Sequence, residues 1–348
     1  MRVLIDTSYA TRGPSGTGIY VEQLVRALRA RDDVEVLEAA QPRRWRRGRS
    51  GGRWNPARSA ANAALDLHWV HRGLPAAARR VGADVVHHPL PAWSRRIRVP
   101  QAITVHDVAF AAVPEHFDPL WRRLARRSHS RAARRADAAI CVSKATAVEA
   151  QWLLGADPAR IVVAPHGPGQ EMPVIERSES PGWFLYVGDA EPRKGVRALL
   201  DAHAALDAPP ELVLAGAAAA AAEGQDGVRG EPAVDARRLA ELLAGAVALV
   251  HPSLHEGFGL TLLEAMRAAT PVVAVRNTAV EELCADAALL VSPGELGPAM
   301  ARVADDRALG ERLAAVGRRR AEAYSWARSA ELHVQAYGLA AGTARVVQ

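Results

Sequence analysis

The sequence predicts a parallel α/β protein of two tandem domains. Three observations carry this expectation. Short apolar runs alternate with helical patterns from end to end, and each run of the first half leads into a loop containing His, Ser, Gly or Pro. A stretch without periodicity, GPGQEMPVIERSESPG from Gly167 to Gly182, separates two such series. The 348 residues are enough for two cores.

In chain order, Val3–Asp6 reads as a first buried strand and Ser15–Gly18 as a glycine turn. Ile19–Leu28 follows as a helix with Leu24, Val25 and Leu28 on one face. Val34–Leu37, Asp84–His87, Ala102–Val105, Ala138–Val142 and Ile161–Ala164 are the further strands of the first half. After the linker, strands are expected at Trp183–Val187, Glu211–Leu214, Val247–His251, Val272–Val275 and Ala288–Val291. The helices between them are Val196–Ala205, Ala236–Leu243, Leu260–Ala268 and Val280–Leu283. Ala215–Ala222 is low in complexity and reads as a helix start or a solvated loop. Helical spacing resumes through Leu296–Val303, Arg307–Arg320 and Trp326–Tyr337. No internal repeat of fixed period is present. In sheets of this kind ligands bind beyond the carboxyl ends of the strands, so the loops that follow them are the candidate site.

Of 44 basic residues only Lys144 and Lys194 are lysines, and alanine fills 72 positions, a drift toward Arg and Ala that makes a surviving lysine worth inspecting. The net charge of +6 divides unequally, with 27 basic and 14 acidic residues in 1–170 (+13) against 17 and 24 in 171–348 (−7). Cys141 and Cys284 each lie in an apolar run, which suits neither a disulfide framework nor a zinc site and fits a reducing compartment. Uncharged stretches such as Leu243–His255 fall short of the ~18 apolar residues of a membrane span. Met1–Asp6 meets a charge at once, unlike a secretory leader. The expectation is a cytoplasmic protein, at most peripheral at the inner face of a membrane.

The segment Pro252–Met266 reads PSLHEGFGLTLLEAM. A strand ends before it, Gly257 and Gly259 let a ligand approach the backbone, and a helix starts near Leu260. Free N–H groups at a helix start, with the positive end of its dipole, form a site for phosphate. Glu256 and Glu264 flank this turn, and either could hydrogen-bond a sugar or a ribose. The segment resembles the signature of the family 4 retaining glycosyltransferases, "PS-x-x-EGFGL-x-x-LEAM". Tyr186–Gly195 is similar to that family's diphosphate-binding "G-x-x-x-PRK" stretch, with Arg193 suited to a bidentate phosphate clamp and Lys194 to a compact charge. Asp189 and Gly195 depart from the family's usual residues there. Ser15-Gly16-Thr17-Gly18-Ile19-Tyr20 resembles its N-terminal glycine loop and departs from the dinucleotide fingerprint, because position 21 is Val. His106-Asp107 matches its acceptor-side histidine, with the carboxylate placed to fix the tautomer. His166-Gly167 stands where the family often has Asn-Gly, and ADAAICVSKAT, with Ser143 and Lys144, is family-like without an assigned role.

The resemblance implies a GT-B fold, two Rossmann-like domains facing each other across a cleft. It places an acceptor domain at 1–168, a linker at 169–182, a donor domain at 183–325, and a last helix, 326–348, crossing back to the first domain. The implied catalytic residues are His106 and Glu256. Gly16, Arg193, Lys194, Gly257, Phe258, Gly259 and Leu260 would hold the donor diphosphate, and Glu264 the ribose. The nearest approach to Asp-x-Asp is Asp189-Ala190-Glu191, so no metal and no cofactor is expected and Arg193, Lys194 and the helix dipoles would neutralise the leaving group. The implied reaction is retaining transfer of a hexose, mannose from GDP-mannose ahead of glucose or N-acetylglucosamine from UDP, to a hydroxyl of a lipid-linked or cell-envelope glycan. A small molecule or polysaccharide acceptor for the UDP-linked sugars is the alternative.

Gln41–Trp54 (QPRRWRRGRSGGRW) carries six arginines beside Trp45 and Trp54, and Trp121–Arg135 carries seven more. They read either as solvated faces or as a surface for anionic lipid or an anionic acceptor. A nucleic-acid partner is not expected, since it leaves the EGFGL segment without a purpose. A sugar-nucleotide epimerase or a non-catalytic nucleotide-binding relative is the remaining alternative.

Overall fold

A computed structural model describes residues 1–12, 15–42 and 56–343. Residues 43–54 of the arginine- and tryptophan-rich segment lie outside these. In the first half the strands are β1 (Arg2–Asp6), β2 (Glu35–Ala39), β3 (Val85–His88), β4 (Gln101–Val105), β5 (Ala138–Cys141) and β6 (Ile161–Val163). The helices among them are α1 (Gly16–Arg29), α2 (Pro56–His68), α3 (Leu74–Val81), α4 (Ala109–Ala112), α5 (Pro119–Arg135) and α6 (Lys144–Glu149). The second half has β7 (Trp183–Val187), β8 (Glu211–Ala215), β9 (Val228–Glu231), β10 (Ala246–His251), β11 (Val272–Val275) and β12 (Leu289–Val291). Its helices are α7 (Val196–Ala204), α8 (Ala236–Gly245), α9 (Leu260–Arg267), α10 (Thr278–Cys284), α11 (Leu296–Asp305), α12 (Arg307–Ala321) and α13 (Trp326–Ala340).

Two six-stranded sheets result, ordered β2-β1-β3-β4-β5-β6 and β12-β11-β10-β7-β8-β9. All their pairings are parallel, for example Val3 beside Val85 in the first and Leu249 beside Leu185 in the second. Strand order reverses between β7 and β10, so the loops leaving their carboxyl ends face one crevice. This is the two-domain GT-B architecture that the motifs imply.

Each sheet owns a core. Val3, Ile5, Leu24, Leu28, Val85 and Ile140 fill the first, together with Ala330, Ala336 and Tyr337 of α13, which lies on the first sheet although it ends the chain. Leu185, Leu249, Leu262, Leu263, Met266 and Val272 fill part of the second, and Val142, from the end of β5, packs into that cluster. No described helix is long and apolar enough to cross a membrane.

Four local features differ from the expectation. The turn expected at Ser15–Gly18 is a helix start, because the Ser15 hydroxyl accepts the Gly18 N–H at 3.0 Å and caps α1. Strand β9 escapes an apolar-run reading because it is an edge strand, VRGE, with no fully buried side chain. The alanine run folds as a 3-10 turn, Gly216–Ala222, with Ala218 and Ala219 buried. Helix α6 follows β5 directly and continues as a wider turn through Leu154, where the sequence offered only a loop.

Candidate active site

The loops after β7 and β10 meet at one carboxylate. Lys194, at the end of the Pro192–Lys194 turn, places Nζ 2.7 Å from Glu256 Oε1, and His251 Nε2 lies 3.0 Å from the same oxygen. Among the described residues no donor reaches Glu256 Oε2. The Glu256 side chain is 11% exposed. Burial alone would raise its carboxyl, but Lys194 and then His251 outweigh that and hold it well below the usual carboxylate range. The group is therefore an anion with one oxygen committed to the protein and the other open.

Arg193 donates from Nε to Glu191 Oε2 at 3.0 Å, and its buried Nη1 has no partner. Burial disfavours its charge, yet Asp107, Glu256 and Glu191 together keep its pKa raised. The two loops are locked by Leu254 N–H donating to Arg193 O at 3.0 Å. Gly195 has φ +70°, and a Cβ there would overlap the Pro252 carbonyl, which accounts for glycine after the lysine.

At the start of α9, Gly259 has φ +100° and no side chain caps the helix. Its carbonyl takes the N–H groups of Leu262 and Leu263 at 3.1 and 3.2 Å, and among the described residues the N–H groups of Phe258, Gly259, Leu260 and Thr261 have no acceptor. Gly16, in the first turn of α1, comes close from the other sheet: a Cβ on it would stand 3.8 Å from Leu260 Cδ1. The first turn of α1 thus lies beside the start of α9.

His106 approaches from the end of β4. Its Nε2 lies 2.9 Å from Pro89 O, and a carbonyl only accepts, so Nε2 carries the proton and Nδ1 is the basic nitrogen. Burial lowers its pKa to about 4, against the opposing pull of Pro89 O and Asp107, so it is neutral at pH 7. The adjacent Asp107 does not fix the ring as the sequence suggested: its Oδ1 accepts from Ala109 N two residues on, at 3.0 Å. The backbone of His106 abuts Gly257 so closely that a Cβ on Gly257 would overlap the His106 carbonyl oxygen.

Glu264 stands apart from the Glu256 cluster. It faces the connection between the sheets, where its Oε1 accepts from Gln170 N at 3.0 Å, and it is 4% exposed. Burial raises its carboxyl to about 7, only partly offset by that N–H. Nearby, Trp326 Nε1 donates to Pro168 O at 2.6 Å, and His166 stacks on Trp326 and meets Phe258 edge-on at 5.1 Å. Behind His106 lies a buried polar chain: Tyr20 Oη bonds Thr104 Oγ1 at 2.7 Å and His333 Nε2 at 2.9 Å, while His87 meets Thr104 and Tyr337. Tyr20 ends the N-terminal glycine-loop motif, whereas His251, His87 and His333 are supports that the motifs did not reveal. His251 alone had a signal, at the end of a strand and five residues before Glu256. Among the described residues no cluster of ligands suited to a metal ion is present.

Two family profiles cover most of the chain: glycosyl transferases group 1 matches residues 170–320, and glycosyltransferase family 4 matches residues 14–168. The chain is 28% identical over 301 residues to O-antigen chain mannosyltransferase B of Escherichia coli, 78% of each chain. It is 30% identical over 294 residues to an MMP alpha-(1->4)-mannosyltransferase of Mycolicibacterium hassiacum, 75% of this chain and 72% of that one. Among solved structures, sucrose-phosphate synthase of Thermosynechococcus elongatus superposes with a TM-score of 0.76 at 20% identity, covering 97% and 98% of the two chains. WaaG, a glycosyltransferase involved in lipopolysaccharide biosynthesis, does so at 0.70 and 19%, covering 98% and 100%. At such identities these two likenesses concern the fold alone.

Proposed function

The chain belongs to the group 1 glycosyltransferases, and from that premise we propose that it transfers a hexose, mannose in preference, from a nucleotide diphosphate sugar to a hydroxyl with retention at the anomeric carbon. The observation that carries this reading is the ionised Glu256, bound through one oxygen by Lys194 and His251 and open at the other. That second oxygen can accept a hydroxyl of the donor sugar. Arg193, Lys194 and the free N–H groups from Phe258 to Leu260 would take the diphosphate, with Gly16 and Gly257 allowing its close approach, so positive groups stand where the leaving group gains charge. His106, neutral with Nδ1 basic, would accept from a sugar hydroxyl. The acceptor oxygen would attack from the face the diphosphate leaves and pass its proton to the departing phosphate, which needs no protein nucleophile.

In this reading residues 1–168 form the acceptor domain, 169–182 the linker and 183–325 the donor domain, with the last segment, 326–348, of which 344–348 lie outside the described residues, returning to the first through α13. Glu264 would turn from Gln170 to the ribose when the nucleotide enters. The preference for mannose is supported by the mannosyltransferase relatives at 28–30% identity, and GDP as its carrier by the resemblance of the IDTSY…GTGIY and EPRK segments. A structural neighbour bound to UDP-glucose keeps UDP-linked glucose as the second reading. The test is release of GDP or UDP from a panel of donors in water alone. GDP-mannose should be cleaved fastest, and faster release from a UDP-sugar would reverse the preference.

For the acceptor we propose a lipid-linked or cell-envelope glycan met at an anionic membrane. Helix α5 supports this, since none of its seven arginines meets a carboxylate among the described residues. By contrast Arg2, Arg31, Arg229 and Arg238 are all paired. Leu120, Trp121 and Leu124, at the start of α5, are 68%, 50% and 57% exposed. Arginines beside exposed Leu and Trp suit a lipid interface better than a nucleic acid.

A further inference from the structure

Helix α6, which belongs to the first sheet, grips the second half of the chain at the glycine loop. The Ser143 hydroxyl donates to the Gly257 carbonyl at 2.7 Å, and the Thr146 hydroxyl donates to the same oxygen at 3.1 Å. The two hydroxyl oxygens also lie 3.0 Å from each other, so the single Ser143 proton is shared between Thr146 Oγ1 and Gly257 O while Thr146 donates its own to Gly257 O. Ser143 Oγ still accepts the Thr146 N–H at 2.9 Å as the cap of α6. Both side chains are buried, Thr146 completely.

The rest of α6 is fixed by the same half of the chain. Glu282 of α10 takes the N–H groups of Lys144 and Ala145, each at 2.9 Å. Glu149, near the end of α6, lies 2.9 Å from His255 Nε2, in the residue before Glu256. The hydroxyls are therefore held at a defined height above the loop rather than swinging with α6.

The consequence follows from peptide geometry. Every described peptide is trans, so a carbonyl and the N–H of the next residue point in opposite directions. With Gly257 O turned toward α6, the Phe258 N–H points away from α6, and among the described residues it has no acceptor. A peptide that begins at glycine rotates easily, and the flipped form would present a carbonyl oxygen where the N–H now stands. An oxygen there would repel a diphosphate that the N–H attracts.

We propose that Ser143 and Thr146 are positioning residues for transfer, which hold the Gly257 carbonyl from across the cleft and thereby aim the Phe258 N–H at the donor diphosphate. The proposal rests on the reading of the glycine loop as the diphosphate site. It also gives a purpose to the ADAAICVSKAT segment, residues 136–146, which the sequence singled out without a role. Because the hydroxyls come from one half and the carbonyl from the other, the loop acquires its N–H orientation only when the halves are together.

The test compares steady-state release of nucleotide by the full chain and by Thr146→Val, Thr146→Ser and Ser143→Ala, using the donor that the wild type cleaves. Thr146→Val keeps the shape and removes only the hydroxyl. It should lower kcat at least tenfold and change the donor KM less than threefold, since Arg193 and Lys194 still bind the ground state. Thr146→Ser should restore kcat to within threefold, and Ser143→Ala should resemble Thr146→Val. Thermal melting of each variant separates loss of fold, and if one variant does not fold the other decides. An active wild type whose Val and Ala variants stay within twofold of it overturns the clamp and leaves the transferase reading standing. So does equal impairment of Thr146→Ser and Thr146→Val. A wild type inactive on every donor overturns both.

Discussion

At the scale of single residues, Glu256 and Glu264 have opposite environments. Two cationic or hydrogen-bonding neighbours keep Glu256 ionised, whereas Glu264 has burial and one N–H. Glu256→Ala and Lys194→Ala should therefore each lower kcat by about 10²-fold or more while leaving the melting temperature within a few degrees, as steady-state kinetics and calorimetry would show. For Glu264 the sign is different. Its folded pKa of about 7 lies above the ordinary carboxylate value, so the folded chain holds the extra proton and its stability from this group falls as pH rises from about 4.5 to about 7. Glu264→Gln removes that loss, and its melting temperature should exceed the wild type's at pH 8 and not at pH 4. The magnitude is up to ~3 kcal/mol. The motif residues were legible because Pro252–Met266 and Tyr186–Gly195 are contiguous in the sequence. Their supports were not: the bond from Ser143 to Gly257 spans 114 positions, and no local pattern marks it.

Among the elements, α13 shows most clearly what periodicity can and cannot give. Its helical spacing predicted an element at Trp326–Tyr337, but its seat on the first sheet adds buried polar contacts to the apolar ones of Ala330 and Ala336. Tyr337 Oη bonds His87 Nδ1 at 2.9 Å, and His333 bonds Tyr20. Burial lowers the pKa of His87, His166 and His333 alike, so each must stay neutral in the folded chain. His333, whose pKa is lowered to about 4, contributes stability that is complete above about pH 6.5 and is lost as pH falls toward about 4, and His87 and His166 act in the same direction. The melting temperature should drop over that window, with α13 leaving first, as amide exchange resolved along the chain would report. Tyr337→Phe deletes one buried bond and should cost about 1 kcal/mol in a urea melt. Helix α5 makes a separate prediction. Anionic vesicles should bind the protein at low and physiological salt and neutral ones should not, and replacing Arg126, Arg127 and Arg131 by Gln should weaken binding at least tenfold. Equal lack of binding to both vesicles would remove the membrane from the account.

The whole molecule joins a basic half, +13 over 1–170, to an acidic half, −7 over 171–348. That contrast was visible from composition, as was the parallel α/β class, because buried parallel strands write themselves as apolar runs. How the halves meet was not visible, since the junction is built from side chains that look ordinary in sequence: Val142 entering the second core, Glu282 capping α6, and Gly257 lying against His106. The junction brings His106 and Gly16 to the loop that holds Glu256, and the account stands on that convergence. The most direct test is the initial rate of nucleotide release at saturating donor for wild type, His106→Ala and Glu256→Ala, one residue taken from each half. Measurable release by the wild type is expected, with a fall of at least about 10²-fold in both variants and the fold intact. Release undiminished in either variant would contradict the account.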